Sequence, residues 1–182
     1  NAGVLRARDL ALYGDVAPAQ RVADIRAKAM KVRRQRDVGL VVVDYLQLMT
    51  GDGANRNAEI EQISRGLKAL AKELGCPVVA LSQLSRKCEE RPNKRPMLSD
   101  LRGSGAIEQD ADIVLRIYRD EIYNPASADA GTAEILIRKN RQGAVGDVRL
   151  TWRGEVTAFG NCDYQASRRS EGAPARRTGG MD

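Results

Sequence analysis

The sequence predicts an α/β fold in which a parallel sheet is extended by an antiparallel C-terminal meander. Two short apolar runs, 40–48 and 77–84, flank a segment with helical spacing. A strand–helix–strand unit of this kind forms a parallel sheet that is covered on both faces. A third apolar run at 113–118 is followed by three more runs joined by short glycine-bearing turns, which is typical of antiparallel strands.

Two helices are predicted in the first half of the chain. The first begins near Val22, because apolar residues recur from there at helical spacing, and cations gather at its end, where the helix dipole favours them. The second begins near Asn57 and stops at Gly75 and Pro77, since glycine ends helices readily and proline cannot continue them. Its apolar face consists of Ile60, Ile63, Leu67, Leu70 and Leu74.

Polar segments separate the later elements. Residues 85–97 are basic and contain two prolines, which predicts a mobile loop, and residues 99–112 predict a short helical segment broken by glycine. An acidic, irregular loop is predicted at 119–131. The strands of the predicted meander are 133–141, 147–152 and 156–159.

Length and terminal composition predict one structured domain. A chain of 182 residues can bury a sizeable core, and we assign that core to residues 3–160. Because the chain begins Asn1-Ala2 without methionine, these two residues are expected to be a cloning remnant of a protein that extends upstream. Residues 161–182 form a basic, low-complexity tail that is expected to be disordered.

Net charge and aromatic content limit the kinds of molecule that the chain is expected to bind. The net charge of +6 and the pI near 9.5 suit a polyanionic partner, although an ordinary basic protein carries the same charge. Aromatic residues make up only 4% of the chain, which excludes a surface that stacks nucleic-acid bases. Any contact with nucleic acid is therefore expected to be made through phosphates.

The cysteine and histidine counts limit the kinds of catalytic and metal site that the chain can form. The chain has three cysteines without metal-ligand spacing and no histidine, which excludes Ser-His-Asp and Cys-His catalysis and argues against a zinc site. An odd cysteine count, the lack of a signal-peptide pattern and the lack of a membrane-spanning apolar stretch predict a cytoplasmic protein without membrane contact. Carboxylates, amides and cations remain to carry any chemistry.

Two polar residues follow the two strands of the predicted parallel pair. Asp44 ends the first apolar run and Gln83 lies at the end of the second. Ligands of parallel α/β sheets bind outside the carboxyl ends of the strands, and an aspartate there orients Mg²⁺ in nucleotide-hydrolysing domains. On spacing alone, an alternative stays open in which Asp44 caps a turn and Gln83 is merely solvated.

Two further groups of residues suit an anionic ligand. Lys139 and Arg141 are two residues apart on a predicted strand, so both are expected on one face, although a solvated basic edge strand has the same pattern. Arg102, Gly103 and Gly105 combine a cation with backbone that a phosphate can approach closely, although an ordinary turn entering a helix fits equally.

A phosphate-binding loop is missing from these groups. The pattern G-x-x-x-x-G-K-[ST] does not occur, and none of the 17 glycines is followed by lysine. A magnesium-positioning aspartate without such a loop cannot bind a nucleotide well.

Six sequence blocks occur in this order: VVVDYLQLM, ISRGLKALAKEL, PVVALSQLSR, KRPMLSDLRGSGAIEQDADIV, IYRDEIY and ILIRKNRQGAVGDVRLTW. Together they resemble the C-terminal part of DnaB-type replicative DNA helicases. The resemblance runs from about Val22 to Phe159 and implies a partial RecA-like three-layer core. In this family the phosphate-binding loop and the catalytic glutamate lie upstream, which implies that this chain is a fragment.

The resemblance implies roles for the ATP-site residues. Asp44 resembles the Walker B aspartate that holds Mg²⁺ mostly through water, and Gln83 resembles the glutamine that links the state of the γ-phosphate to DNA-facing loops. Lys139 and Arg141 match cations that each subunit inserts into its neighbour's ATP site, with Arg141 as the arginine finger.

The resemblance also implies roles for DNA-contacting residues. Arg102, Gly103 and Gly105 fall on the loop that contacts single-stranded DNA in the central channel, although the family usually carries Glu at the position of Gly103. The basic loop at 85–95 is also expected to face the channel. Its candidate cations are Arg86, Lys87, Arg91 and Lys94.

The function implied by the resemblance is ATP- and Mg²⁺-dependent unwinding of DNA at replication forks by a homo-hexameric ring. Single-stranded DNA, primase and a helicase loader are the expected partners. The alternatives left open are a RecA-like recombinase, a DnaB-like primase-helicase from a phage or organelle, and a non-enzymatic module that binds DNA or a partner.

Overall fold

A computed structural model describes residues 11–101 and 104–162. The chain divides into two compact units. The first consists of the described residues of Asn1–Asn93 and Met97–Ala111, and the second consists of the described residues of Lys94–Pro96 and Asp112–Asp182. The assignment of residues 3–160 to one domain stays a prediction. Most of the expected tail, from residue 163 on, lies outside the described residues.

The first unit contains the two predicted helices. Helix α1 spans Val22–Arg33 and helix α2 spans Arg56–Leu74, which confirms both predictions to within a residue or two. The Asn55 side chain caps α2 by accepting a hydrogen bond from the Ala58 N–H at 3.0 Å. Gly75 ends α2 with a φ of 67°, a conformation that glycine adopts without a Cβ clash.

The buried face of α2 is the one that the sequence predicted. Ile60, Ile63, Leu67, Leu70 and Leu74 are all buried. Helix α1 lies close to α2, since a Cβ added at Gly66 would be 3.0 Å from a methyl carbon of Val22.

The two apolar runs on either side of α2 form a short parallel pair. Strand β1 (Val41–Val43) pairs with strand β2 (Val78–Ala80), with Val43 opposite Ala80. Both strands are shorter than predicted. The first is short because the chain turns after Asp44 into a 3-10 helix at Leu46–Leu48. Apolar composition does not distinguish this turn from a continuing strand.

The described residues do not cover the parallel pair on both faces, contrary to the expectation from the sequence. Val43 is buried, but Val42 and Val79, which are paired on the opposite face, are 58% and 49% exposed. Alternate residues of a strand point to opposite faces, so the described residues cover only one face of this pair.

The first unit continues through a polar segment into a short helix. The segment predicted as a loop contains a 3-10 helix at Arg86–Glu90, and a second 3-10 helix lies at Leu98–Asp100. Helix α3 spans Ser104–Asp110, within the helical segment predicted at 99–112. No helix within the described residues is both long enough and apolar enough to cross a membrane.

The second unit is an antiparallel sheet of four strands in sequence order. Its last three strands confirm the predicted meander, and the run at 113–118, which was predicted separately from the meander, pairs with them as the first strand. The last strand starts two residues later than predicted, because residues 154–156 form a 3-10 turn. A register shift between Val114 and Leu115 marks a bulge in the first pairing. The strands are β3 (Ile113–Tyr118), β4 (Thr132–Asn140), β5 (Gly146–Arg153) and β6 (Ala158–Asn161).

A group of charged and aromatic side chains attaches Lys94–Pro96 to this sheet. The Arg95 guanidinium forms a two-pronged ion pair with the buried Glu134 carboxylate and lies 5.0 Å from the centre of the Tyr118 ring. Burial raises the pKa of Tyr118 to about 12, together with the hydrogen bond that its hydroxyl donates to Asp120. The phenol therefore stays protonated at neutral pH.

Replacement of a buried α2 residue is expected to destabilise the protein. Leu70 is 1% exposed, so Leu70→Ala should lower the free energy of unfolding by about 2–5 kcal/mol through lost burial and the cavity left behind. Urea unfolding followed by circular dichroism measures the change. Leu12→Ala is the matched control, since Leu12 is 71% exposed, and an equal loss in both variants would contradict this packing.

Candidate functional site

The parallel pairing brings Asp44 and Gln83 to the same edge of the sheet. Asp44 directly follows β1, and Gln83 lies three residues after the end of β2. The backbone holds this edge together: the Leu81 N–H donates to the Val43 carbonyl, and the Leu46 N–H donates to the Leu81 carbonyl, both at 2.9 Å. Both Asp44 and Gln83 are exposed, so their side chains are open to a ligand at this edge.

A third residue, Gln47, bridges the two strand ends. Its Oε1 accepts a hydrogen bond from the Gln83 N–H at 3.1 Å, and its Nε2 donates to the Ser82 hydroxyl at 2.9 Å. One amide side chain therefore fixes the backbone of the segment after β2 against the turn after β1. Sequence reasoning missed Gln47, and the available signal was an amide within an otherwise apolar stretch after Asp44.

The turn that carries Gln47 is held from its other side by Arg56. The Arg56 guanidinium donates to the Met49 carbonyl at 3.1 Å and to the Gln47 carbonyl at 2.9 Å. Arg56 is the first residue of α2, so the helix that forms the core also supports the turn at the strand edge. A charged donor satisfies carbonyls that the short 3-10 helix leaves without partners of its own.

The acidic groups at this edge fit only part of a magnesium site. Within residues 11–101 and 104–162, no group of three or more Cys, Asp or Glu side chains is placed to hold a metal ion. Asp44 is a single exposed carboxylate. Mg²⁺ keeps several waters and is commonly held by one or two carboxylates together with substrate phosphates. Asp44 therefore fits a ligand acting directly or through water, with the remaining ligands supplied from elsewhere.

The two candidate cations of the second unit lie at the end of β4. Lys139 is the penultimate residue of the strand, opposite Val114, and is half-buried. Arg141 lies just beyond the strand; its N–H donates to the Asp112 carbonyl at 2.9 Å, and its guanidinium is 3.6 Å from the Asp112 carboxylate. The backbone at Arg141 is thus fixed, while 48% of its side chain is exposed.

The candidate DNA-contacting glycine loop is described only in part. Arg102 and Gly103 lie outside the described residues. Gly105 lies in the first turn of α3 and is exposed, and a Cβ added there would meet nothing within 4 Å. No close approach among the described residues therefore requires glycine at this position.

The four basic candidates before this loop divide into two pairs. Arg86 and Lys87 are exposed on the Arg86–Glu90 turn. Arg91 forms an ion pair with the buried Asp100 carboxylate, and the Lys94 ammonium lies 5.2 Å from the centre of the Tyr123 ring. The structure therefore turns Arg91 and Lys94 toward their own chain.

The chain matches a known family over most of its length. The DnaB-like helicase C terminal domain family matches residues 2–161. The chain belongs to this family. The DnaB-like chain is also similar to curated relatives: it is 51% identical over 155 residues to the replicative DNA helicase DnaB of Geobacillus stearothermophilus, and 51% identical over 163 residues to that of Pasteurella multocida.

Coverage of these relatives is partial. The alignments cover 84% and 88% of this chain but only 34% and 35% of the two DnaB proteins, so the chain spans about a third of their length. Among solved structures, one ATPase domain matches 80% of this DnaB-like chain, with a TM-score of 0.75 and 46% identity. The match covers 52% of that ATPase-domain chain. The RecA-like α/β class predicted from the sequence is thereby confirmed.

A second solved relative gives the same result. It is a DnaB-like replicative helicase whose structure was described with its interactions with primase, and it matches with a TM-score of 0.75 and 46% identity. That match covers 80% of this chain and 36% of the relative.

Removal of the Gln47 bridge is expected to loosen the strand edge. Gln47→Leu deletes both side-chain hydrogen bonds, each worth about 0.5–1.5 kcal/mol, so the amide of Gln83 should exchange with deuterium about tenfold faster. Hydrogen–deuterium exchange on peptides covering 81–85 measures this. Gln35→Leu, an exposed glutamine after α1, is the control. Unchanged exchange in Gln47→Leu would show that the bridge does not hold this edge.

Proposed function

We propose that this chain is part of an ATP-dependent replicative DNA helicase, which unwinds duplex DNA as a hexameric ring moving on single-stranded DNA. The observation that carries the proposal is the shared strand edge of Asp44 and Gln83, fixed by Gln47. A carboxylate and an amide at the carboxyl ends of adjacent parallel strands lie where α/β sheets bind their ligands. Membership of the DnaB-like family supports a nucleotide as that ligand.

In this proposal Asp44 and Gln83 act on the triphosphate of ATP. Asp44 would hold Mg²⁺ through water, and the ion when bound would neutralise charge on the phosphate oxygens. Gln83 contacts the γ-phosphate or the water beside it, which its exposed position at the strand edge allows. Since Gln47 bonds to the Gln83 backbone, the position of Gln83 is tied to the turn that follows Asp44.

Lys139 and Arg141 serve the ATP site of the neighbouring subunit. Arg141 is half-exposed, and its backbone is fixed by the bond to Asp112, which suits a cation that reaches outward from a rigid base. A guanidinium stabilises charge that develops on a transferring phosphoryl group, and the group acts as an arginine finger. Each ATP site is then complete only where two subunits meet, which makes contact between subunits a requirement for hydrolysis.

The DNA is contacted through its phosphates. The chain carries a net charge of +6 and few aromatic residues, which supports binding of a polyanion without base stacking. The proposed contacts are made first by Arg102, Gly103 and Gly105, with Arg86 and Lys87 as exposed cations nearby in sequence. Lys94 and Arg91 remain weaker candidates, since their charged groups face Tyr123 and Asp100.

Primase, a helicase loader and a cytoplasmic location complete the proposal. A solved DnaB-like relative, 46% identical, was described with its interactions with primase, which supports primase as a partner. The loader and the cytoplasmic location follow from a role at the replication fork.

Isolated, these 182 residues are expected to hydrolyse ATP at a negligible rate. They contain no G-x-x-x-x-G-K-[ST] loop, so nothing cradles the phosphates that Asp44 and Gln83 would act on. A steady-state phosphate-release assay with Mg²⁺ measures this, with circular dichroism to show that the chain is folded and the full-length protein as positive control. Magnesium-dependent ATP turnover well above background would contradict the proposal that these residues lack an essential part of the ATP site.

The proposed sharing of ATP sites is tested by mixing two inactive variants of the full-length protein. Arg141→Ala should lower ATP turnover by about 10³–10⁵-fold, and Asp44→Asn should also abolish it. A mixture should recover part of the turnover and of the unwinding of forked DNA, because some sites combine an intact Asp44 with a neighbour's intact Arg141.

The control for this experiment is Arg65→Ala, which removes an exposed cation on α2 and should leave turnover unchanged. Failure of the mixture to recover activity, although subunits exchange, would show that Asp44 and Arg141 do not meet across a subunit boundary. Full activity of Arg141→Ala alone would remove Arg141 from the site.

A further inference from the structure

We propose that Arg91 and Asp100 form a positioning pair, which fixes the chain entering the proposed DNA-contacting loop. Arg91 is thereby assigned a role inside the protein instead of the direct DNA contact that its charge suggests. The inference rests on the proposed function, because it concerns how that loop is held for binding single-stranded DNA.

The two side chains meet in a two-pronged ion pair. One Arg91 Nη donates to Asp100 Oδ1 at 3.2 Å and the other to Oδ2 at 2.7 Å. The Asp100 side chain is 6% exposed, and that of Arg91 is 28% exposed. The planar guanidinium matches both carboxylate oxygens, which fixes orientation as well as distance.

Asp100 also organises the backbone around it. Its Oδ2 accepts a hydrogen bond from the Met97 N–H at 2.7 Å, which closes the turn at Leu98–Asp100. Its carbonyl accepts a hydrogen bond from the Ser85 N–H at 2.7 Å, and the next residue, Leu101, pairs with Leu84 in an isolated antiparallel bridge.

These contacts join the strand edge to the start of the loop. Leu84 and Ser85 directly follow Gln83, whereas Asp100 and Leu101 directly precede Arg102. The chain leaving the proposed nucleotide site is therefore hydrogen-bonded to the chain entering the proposed DNA contact. Arg91 holds the second of these segments through the Asp100 carboxylate.

Energetics favour this role over direct DNA contact. If Arg91 turned outward to a phosphate, the buried Asp100 carboxylate would lose its two-pronged pair with the guanidinium, and breaking a buried pair in this way is strongly unfavourable. The exposed Arg86 and Lys87 face no such cost. The geometry therefore separates one cation that holds the segment from two that are open to solvent.

The test measures binding of the full-length protein to a fluorescently labelled single-stranded oligonucleotide at several salt concentrations. Asp100→Asn should weaken binding about tenfold, although it removes a negative charge, because the segment loses its anchor. Arg91→Gln should weaken DNA binding to the same extent. The double variant should bind DNA no more weakly than either single variant. In all of these variants the slope of log K against log salt concentration should stay unchanged. Arg65→Gln, an exposed cation on α2, is the matched control and should bind as the unchanged protein does.

The Arg91→Lys variant distinguishes a positioning role from direct contact with a DNA phosphate. It does so even if Asp100→Asn fails to fold, which circular dichroism would reveal. Lysine keeps the positive charge that a phosphate needs but cannot form the two-pronged pair, so a positioning role predicts weakened binding. Near-normal binding of Arg91→Lys would overturn the proposal. Tighter DNA binding by Asp100→Asn would also overturn it. So would a change in the salt dependence of Arg91→Gln: loss of one phosphate contact should lower the slope of log K against log salt concentration by about 0.7.

DNA binding by the wild-type full-length protein tests the proposed function separately from the positioning role. Absence of single-stranded DNA binding by the full-length protein would overturn the proposed function and this inference together. Normal binding by that protein, with any of the contrary results above, would overturn the positioning role alone.

Discussion

The candidate site depends on the parallel pairing of β1 with β2. Three paired residues in each strand set the register, and two backbone hydrogen bonds beyond the pair continue it to Leu46 and Leu81. This register is what places Asp44 beside the segment that carries Gln83, although the two residues are far apart in sequence. Gln47 then adds a side-chain bridge across the same gap, and Arg56 fixes the turn that carries Gln47. Helix α2 therefore contributes twice, through its buried face and through its first residue.

The same edge leads to the proposed DNA contact by a short path. After Gln83 the chain pairs with Leu101 and Asp100, and Asp100 is held in turn by Arg91. Residues proposed to act on a nucleotide and residues proposed to contact DNA are thus joined by backbone contacts and one ion pair with a buried carboxylate. Packed side chains, hydrogen bonds and ion pairs of this kind can carry energetic coupling between two sites.

The sequence predicted the helices and the meander well, and the strand ends less well. Helix α2 was predictable because its five buried residues recur at helical spacing and Gly75 ends it. The length of β1 was not, because the turn after Asp44 is as apolar as the strand. The exposure of Val42 was also not predictable from a run of valines, since composition does not say which face the rest of the fold covers.

Within the candidate site, some of the candidate residues could be selected from the sequence, but their hydrogen-bond and ion-pair partners could not. Asp44 and Gln83 could be selected because they follow apolar strands, a pattern local in sequence. Gln47 could not, because its partners lie 35 and 36 residues away. Arg91 was expected to face DNA because it lies in a basic run, and only the fold reveals Asp100 as its partner. Charge pattern gives the number of cations in a segment, whereas their orientation depends on buried partners that are distant along the chain.

The most direct test of the central claim is a cryo-electron microscopy structure of the full-length protein with Mg²⁺, a slowly hydrolysed ATP analogue and single-stranded DNA. We predict a ring in which the γ-phosphate lies at the carboxyl ends of β1 and β2, near Asp44 and Gln83, with Arg141 reaching it from the neighbouring subunit. A nucleotide bound away from these strand ends, with Asp44 facing solvent, would contradict the account.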